Sequence, residues 1–211
     1  MHALNQWYVF HDGMKPDILK KIRQKGGTWN WEVSGVDIKK EVTQKDREDG
    51  REREIGVDKK TRVSDIKWIN DQWVFDTIWP WMQQANEHAG WKYHIDAAEA
   101  VQLTRYKVGG FYSWHQDGNN CHLSAYKEGN EFVFGKVRKL SMTILMNDDF
   151  EGGEFEIMTY SKGEKQVEQP FENPKAGQII VFPSSMEHRV KPVTKGIRYS
   201  AVVWFLGPPM K

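Results

Sequence analysis

The segment Tyr106-Lys107-Val108-Gly109-Gly110-Phe111-Tyr112-Ser113-Trp114-His115-Gln116-Asp117 carries the reading of this chain. Its last three residues set an imidazole and a carboxylate two positions apart. In an extended strand, residues i and i+2 point to the same side, so His115 and Asp117 face one point while Gln116 turns away. Such a pair supplies two legs of a metal site. Alone it is a weak signal, because His-x-Asp arises by chance in many chains.

A third donor lies far downstream. His188 follows the apolar run Ile179-Ile180-Val181-Phe182 and the turn Pro183-Ser184-Ser185, at the entry to a further strand. Two imidazoles and one carboxylate leave coordination positions open, a donor set that suits non-haem iron. Arg198 comes after the Thr194-Lys195-Gly196 turn. If residues 188–193 and 198–205 pair as a hairpin, the Arg198 backbone sits on the order of 10 Å from that of His188. A five-carbon diacid would span that gap, with its distal carboxylate on the guanidinium fork.

The surroundings point to a β core. From residue 100 onward, short apolar segments predict strands at 101–108, 112–116, 139–146, 154–159, 178–182, 188–193 and 198–205. Gly109-Gly110, Gly152-Gly153, Pro183-Ser184 and Lys195-Gly196 mark turns between them. Many short strands without βαβ alternation predict a sandwich or jelly roll. Upstream, Trp7–Phe10 reads as a strand and Met14 to Lys25 as a helix with Pro16 in its first turn. Arg62 to Ile69 alternates like a half-buried strand. A second helix starts at Asn70 or Asp71 and runs to about Gly90, with Pro80 placed to kink or split it. These helices are expected to brace an outer face, giving one domain over 1–211: a helical support region at 1–95 and a β core at 96–211. Residues 39–61 are dense in charge and contain no aromatic residue. They read as a mobile surface excursion that could close over a substrate.

Composition narrows the partners. Lys+Arg 30 against Asp+Glu 29 leaves no global basic field, which argues against nucleic acid. Cys121 is the only cysteine, so no internal disulfide forms and a reducing compartment is expected. The polar start Met1-His2-Ala3-Leu4-Asn5-Gln6 has no apolar signal core, and no run approaches the ~20 apolar residues of a span. The expectation is a cytoplasmic protein with no membrane contact.

Taken in order, the motifs over residues 100–206 resemble the 2-oxoglutarate/Fe(II)-dependent dioxygenase superfamily, in its prolyl 4-hydroxylase-like, PKHD-type branch. They are Arg105-Tyr106, Gly109, Tyr112, His115-x-Asp117, Leu140-Ser141-Met142-Thr143, Glu151-Gly152-Gly153-Glu154, Val181-Phe182-Pro183-Ser184, His188-x-Val190-x-Pro192, Gly196-x-Arg198 and Trp204. The resemblance implies an α+β, mainly β fold, a double-stranded β-helix with the metal at its mouth. It implies Fe(II) on His115, Asp117 and His188, with 2-oxoglutarate and O2 in the remaining positions. Arg198 would hold the distal carboxylate, Tyr106 would hydrogen-bond the cosubstrate, and Trp204 would wall the pocket. Where many prolyl hydroxylases carry a tyrosine, this chain has Thr143-Ile144-Leu145-Met146, so Thr143 or Ser141 would offer the hydroxyl. Tyr112 and Trp114 would face the substrate. The implied activity is hydroxylation of a peptidyl residue, first of all proline at C4, with release of succinate and CO2 and with L-ascorbate as a reductant of the iron. The partner would be a proline-containing peptide or protein. An arginine in place of lysine at 198 leaves lysyl or other peptide or small-molecule hydroxylation open. A nucleobase demethylase and a non-catalytic jelly-roll binding module are the remaining alternatives.

Overall fold

Side-chain alternation in two stacked antiparallel sheets decides which residues build the core and which reach the site. The computed structural model describes residues 5–27, 30–39, 53–118, 125–127, 131–161 and 163–209. The N-terminal elements are β1 (Tyr8–Phe10), α1 (Pro16–Gly27), β2 (Glu32–Val33), β3 (Val36–Lys39), β4 (Arg53–Gly56), β5 (Arg62–Val63), β6 (Asp65–Ile69) and α2 (Gln72–His88). Next come β7 (Ala97–Ala98), β8 (Val101–Tyr106), β9 (Phe111–His115), β10 (Val137–Leu145), β11 (Phe150–Gly152) and β12 (Phe155–Ser161). The chain closes with β13 (Glu164–Glu168), β14 (Ile179–Pro183), β15 (His188–Val190), β16 (Val193–Gly196) and β17 (Arg198–Gly207). The major sheet runs β1-β14-β10-β17-β8-β6-β2, with β7 added to β17, and the minor sheet runs β13-β12-β15-β9-β5. This is the expected double-stranded β-helix.

Strand β17 shows the division of labour. Ala201, Val203 and Phe205 join a buried cluster with Leu19 and Ile22 of α1 and Ile78 and Met82 of α2. The intervening Arg198, Ser200, Val202 and Trp204 face the opposite way and line a cavity. Strand β14 splits likewise: Ile179 and Val181 meet the helices, whereas Ile180 and Phe182 pack between the sheets with Phe155, Ile157 and Val190. Ile22 and Ile78 are fully buried under the major sheet, each contributing about 2 kcal/mol of transfer free energy. Helix α1 opens on Pro16 and carries Asp17 in its first turn and Lys25 in its last, matching the helix dipole.

Several expectations need correction. Helix α2 is not split at Pro80: Val74, Ile78, Met82 and Ala85 on both sides of it are buried, and that packing carries the helix through the missing hydrogen bond. The 62–69 stretch is not one strand. It crosses sheets at Ser64, with β5 pairing β9 of the minor sheet and β6 pairing β8 of the major sheet. Within the 39–61 excursion, β4 forms a ribbon with β3, while residues 40–52 lie outside the described residues. The 1–95 region does more than support, since β1, β2, β5 and β6 are members of the two sheets. Residues 188–193 and 198–205 do not form a hairpin, because β15 lies in the minor sheet and β17 in the major one.

Candidate metal and cosubstrate site

Strands β9 and β15 pair so that His115 and His188 stand directly opposite each other. Asp117 lies beyond the end of β9, where its N–H donates to the Ser184 carbonyl at 3.0 Å. The turn after β14 thus replaces strand alternation in aiming the carboxylate. His115 Nε2 lies 3.6 Å from Asp117 Oδ1, and His188 Nε2 lies 3.5 Å from Asp117 Oδ2. One ligand atom from each of the three residues falls within 4.8 Å of the others, a spacing that a single ion can bridge.

The second contacts orient these donors. His115 Nδ1 lies 2.7 Å from the Ser113 carbonyl, and His188 Nδ1 lies 3.0 Å from the Met186 carbonyl. A carbonyl only accepts, so each Nδ1 carries the proton and each Nε2 presents its lone pair to the shared centre. Burial, and next the neighbouring His188, push the His115 imidazole well below its usual range, which favours the neutral, ligating form. Burial opposes the charge on Asp117, but the Arg138 guanidinium and the Ser141 hydroxyl favour it, and the carboxyl lies below the ordinary range. Ser141 Oγ donates to Asp117 Oδ2 at 2.7 Å.

The cavity that opens on this triad has a volume of about 680 Å³. At its floor Arg198 is 1% exposed and sits in register with Tyr106 of β8. Its guanidinium donates to Ser200 Oγ at 3.2 Å, and its Nε has no acceptor. No carboxylate pairs with it among the described residues, and burial pushes its pKa down. A buried, unmatched guanidinium is costly and calls for an anion. Tyr106, Thr143 and Trp204 also line the cavity. The residues present therefore fit both groups: a two-histidine, one-carboxylate donor set for iron, and an arginine with unspent donors for a diacid.

Of the two residues expected to meet substrate, Tyr112 lies in the cavity and Trp114 does not. Tyr112 stacks on His115 with ring centroids 3.5 Å apart, and burial pushes its phenol up to about 12. Trp114 lies instead beneath the Arg189 guanidinium, 4.7 Å from it. Simple alternation would put Tyr112 and Trp114 on one face, away from His115. A register shift opposite His188 and Val190 sets three steps of β9 against two of β15, which turns Tyr112 inward with His115.

Among the cavity residues that sequence reasoning missed are Arg62, Gln102, Arg138, Ser200 and Gln116, the last of which it had turned away from the site. Arg138 pairs with Glu99 (2.6 Å), which keeps it protonated despite burial, and donates to the Asp117 carbonyl at 3.2 Å. The available signal was a polar residue alternating with apolar ones in a strand otherwise read as core, as in Arg198-Tyr199-Ser200-Ala201.

A family model described as "2OG-Fe(II) oxygenase superfamily" matches residues 101–206. The chain belongs to the 2OG-Fe(II) oxygenase superfamily. Among curated relatives, this chain is 34% identical over 112 residues to a PKHD-type hydroxylase of Synechococcus sp. (strain CC9902), covering 52% of this chain and 42% of that one. It is also 34% identical over 105 residues to a PKHD-type hydroxylase of Stenotrophomonas maltophilia, covering 49% of this chain and 41% of that one. The match thus spans well under half the length of these relatives. Among solved structures, a Pseudomonas putida prolyl-4-hydroxylase superimposes with a TM-score of 0.58 at 18% identity, covering 96% of this chain and 93% of that one. A Trichoplax adhaerens prolyl hydroxylase in complex with a hypoxia inducible factor peptide fragment reaches 0.65 at 14% identity, covering 95% and 83%. These likenesses extend the shared fold over 95–96% of this chain. Membership implies Fe(II), 2-oxoglutarate and O2. Among the described residues, no helix is long and apolar enough to cross a membrane.

Proposed function

We propose that this chain hydroxylates a peptidyl residue, first of all proline at C4, with conversion of 2-oxoglutarate to succinate and CO2. The observation that carries the reading is one cavity holding both the His115–Asp117–His188 triad and the buried guanidinium of Arg198, which no carboxylate pairs among the described residues. In this reading Fe(II) and 2-oxoglutarate supply the oxidation when bound: one oxygen atom enters succinate as CO2 leaves, and the other becomes the new hydroxyl.

The chain's own residues position and exclude. The two Nε2 lone pairs and the Asp117 carboxylate hold the metal, and Ser141 fixes the carboxylate rotamer. Arg198 takes the distal carboxylate of 2-oxoglutarate with charge-assisted hydrogen bonds, and Tyr106 and Thr143 flank it. Phe155, Val190, Val202 and Trp204 give the cavity apolar walls that keep water from the reacting centre. Tyr112 lines the cavity beside His115, where it would meet the entering substrate residue. The similarity to PKHD-type hydroxylases, and a fold shared with a prolyl hydroxylase that was solved with a peptide, support a peptide substrate.

The test is incubation with Fe(II), 2-oxoglutarate, ascorbate and proline-rich peptides, followed by mass spectrometry. Succinate together with a peptide gaining one oxygen atom on proline is the expected result. Metal-loaded protein that forms no succinate and leaves every peptide unchanged would overturn the reading. Omitting ascorbate is expected to shorten the time over which activity lasts.

A further inference from the structure

Three guanidiniums line the cavity, and only two have an evident anion. Arg138 is paired with Glu99, and Arg198 awaits the cosubstrate's distal carboxylate. Arg62 is the third. It is 7% exposed, and its Nε donates to Ser64 Oγ at 2.9 Å while Nη2 donates to Gln102 Oε1 at 2.8 Å. Both acceptors are neutral, and among the described residues no carboxylate forms an ion pair with it. The other carboxylates on the cavity wall are Glu32 and the metal-facing Asp117. A cation withdrawn from water without a counter-charge is unfavourable unless a ligand supplies one.

Its setting says where that ligand must lie. The Arg62 guanidinium rests over the Tyr112 ring, 4.6 Å from its centroid, and Tyr112 is stacked on His115. Ser64 is itself held, donating to Ser34 Oγ at 2.9 Å, so two of the guanidinium nitrogens are fixed and the fork is preorganised. An anion on its free edge would lie beside Tyr112, close to the group that enters toward the triad.

We propose that Arg62 is a specificity-determining residue that binds a substrate carboxylate adjacent to the residue being hydroxylated. The substrate is then an acidic peptide, its carboxylate coming from a neighbouring Glu or Asp side chain or from a free chain terminus. The assay rests on the hydroxylase reading above, so binding is measured separately from turnover.

The probes are short peptides of matched length: Gly-Glu-Pro-Gly with both termini blocked, its Gln counterpart, and Gly-Gly-Pro with a free or amidated C-terminus. Each is titrated by calorimetry into protein loaded with Mn(II) and saturated with 2-oxoglutarate, which occupies Arg198. At least one carboxylate peptide is expected to bind roughly 10- to 100-fold more tightly than its amide partner, the range of a charge-assisted hydrogen bond in a dry site. Which pair shows the preference separates side chain from terminus. Arg62→Gln is expected to bring that ratio to about 1, and Arg62→Lys to retain part of it. A ratio near 1 in the parent overturns the proposal without any variant, as does no detectable binding of either carboxylate peptide, or a preference that survives Arg62→Gln. Acid-selective binding that depends on Arg62, without turnover of any peptide, would sustain this inference while removing the hydroxylase reading.

Discussion

Under the proposed assignment Arg198 and Ser141 act on different partners, and their substitutions should separate. Removing the buried guanidinium leaves a dicarboxylate without its counter-charge. Arg198→Gln is expected to weaken 2-oxoglutarate binding by about 30- to 5000-fold, from the ~2–5 kcal/mol of a truncated buried charge pair. Mn(II) binding, followed by calorimetry in the absence of 2-oxoglutarate, should stay within a few-fold of the parent. Ser141→Ala does the reverse. It strips the 2.7 Å hydrogen bond from Asp117 Oδ2 and should lower metal affinity about 10- to 100-fold. Equal losses of metal and cosubstrate in both variants would contradict the assignment. At this scale the chemistry was legible before folding: residue types and their order named the triad and the arginine. Tyr112 and Trp114 were not separable, because a strand's alternation says nothing about where a bulge will interrupt it.

Among elements, the turn between β11 and β12 has the most direct line to the cosubstrate. Gly153 adopts φ +64, and a Cβ there would meet Arg198 Cδ at 2.9 Å and Val193 Cγ2 at 3.0 Å. Arg198 is fully enclosed, so it cannot simply swing aside. Gly153→Ala is expected to cost about 1–2 kcal/mol from the left-handed backbone alone, and to raise the KM for 2-oxoglutarate at least several-fold by displacing the guanidinium. Denaturant titration and steady-state kinetics read the two effects. An unchanged KM would show that the turn does not set the position of Arg198. The sequence marked Gly152-Gly153 as a turn, yet nothing in it placed that turn against Arg198. That contact arises because β16, beside β11, leads directly into β17.

For the whole molecule, ligand and proton linkage give two measurements. In the proposed reading the metal and 2-oxoglutarate bind between the two sheets, which only the folded state brings together. Mn(II) plus 2-oxoglutarate at about 100 times their dissociation constants should stabilise the fold by about 2.7 kcal/mol per ligand, and chelation should reverse it. A Tm unmoved by both ligands would argue that the site is not assembled. Asp65 ties β6 to β8 through Arg105 at 2.7 Å. Burial raises its pKa, but Arg105 and Lys107 prevail and hold it below 3.8. The unfolded chain therefore binds this proton more readily. The stabilisation is complete above the unfolded value and fades as pH falls through the folded one. Asp65→Asn should lose about 1 kcal/mol at neutral pH and show a flatter acid limb in denaturation between pH 5 and 2. A limb as steep as the parent's would remove Asp65 from that account.

What the sequence determined by itself was the local chemistry: the two imidazoles, the carboxylate, the basic residue, and the short strands that carry them. Such information survives without a fold because strand periodicity is a property of neighbouring residues. Tertiary structure alone decided how these pieces meet. His188 faces His115 across one sheet, Arg198 reaches the same cavity from the other, and Ser64 marks where the chain crosses between them. Register and sheet membership depend on contacts between residues far apart in the chain, and those contacts are settled by packing the two layers and the helices together.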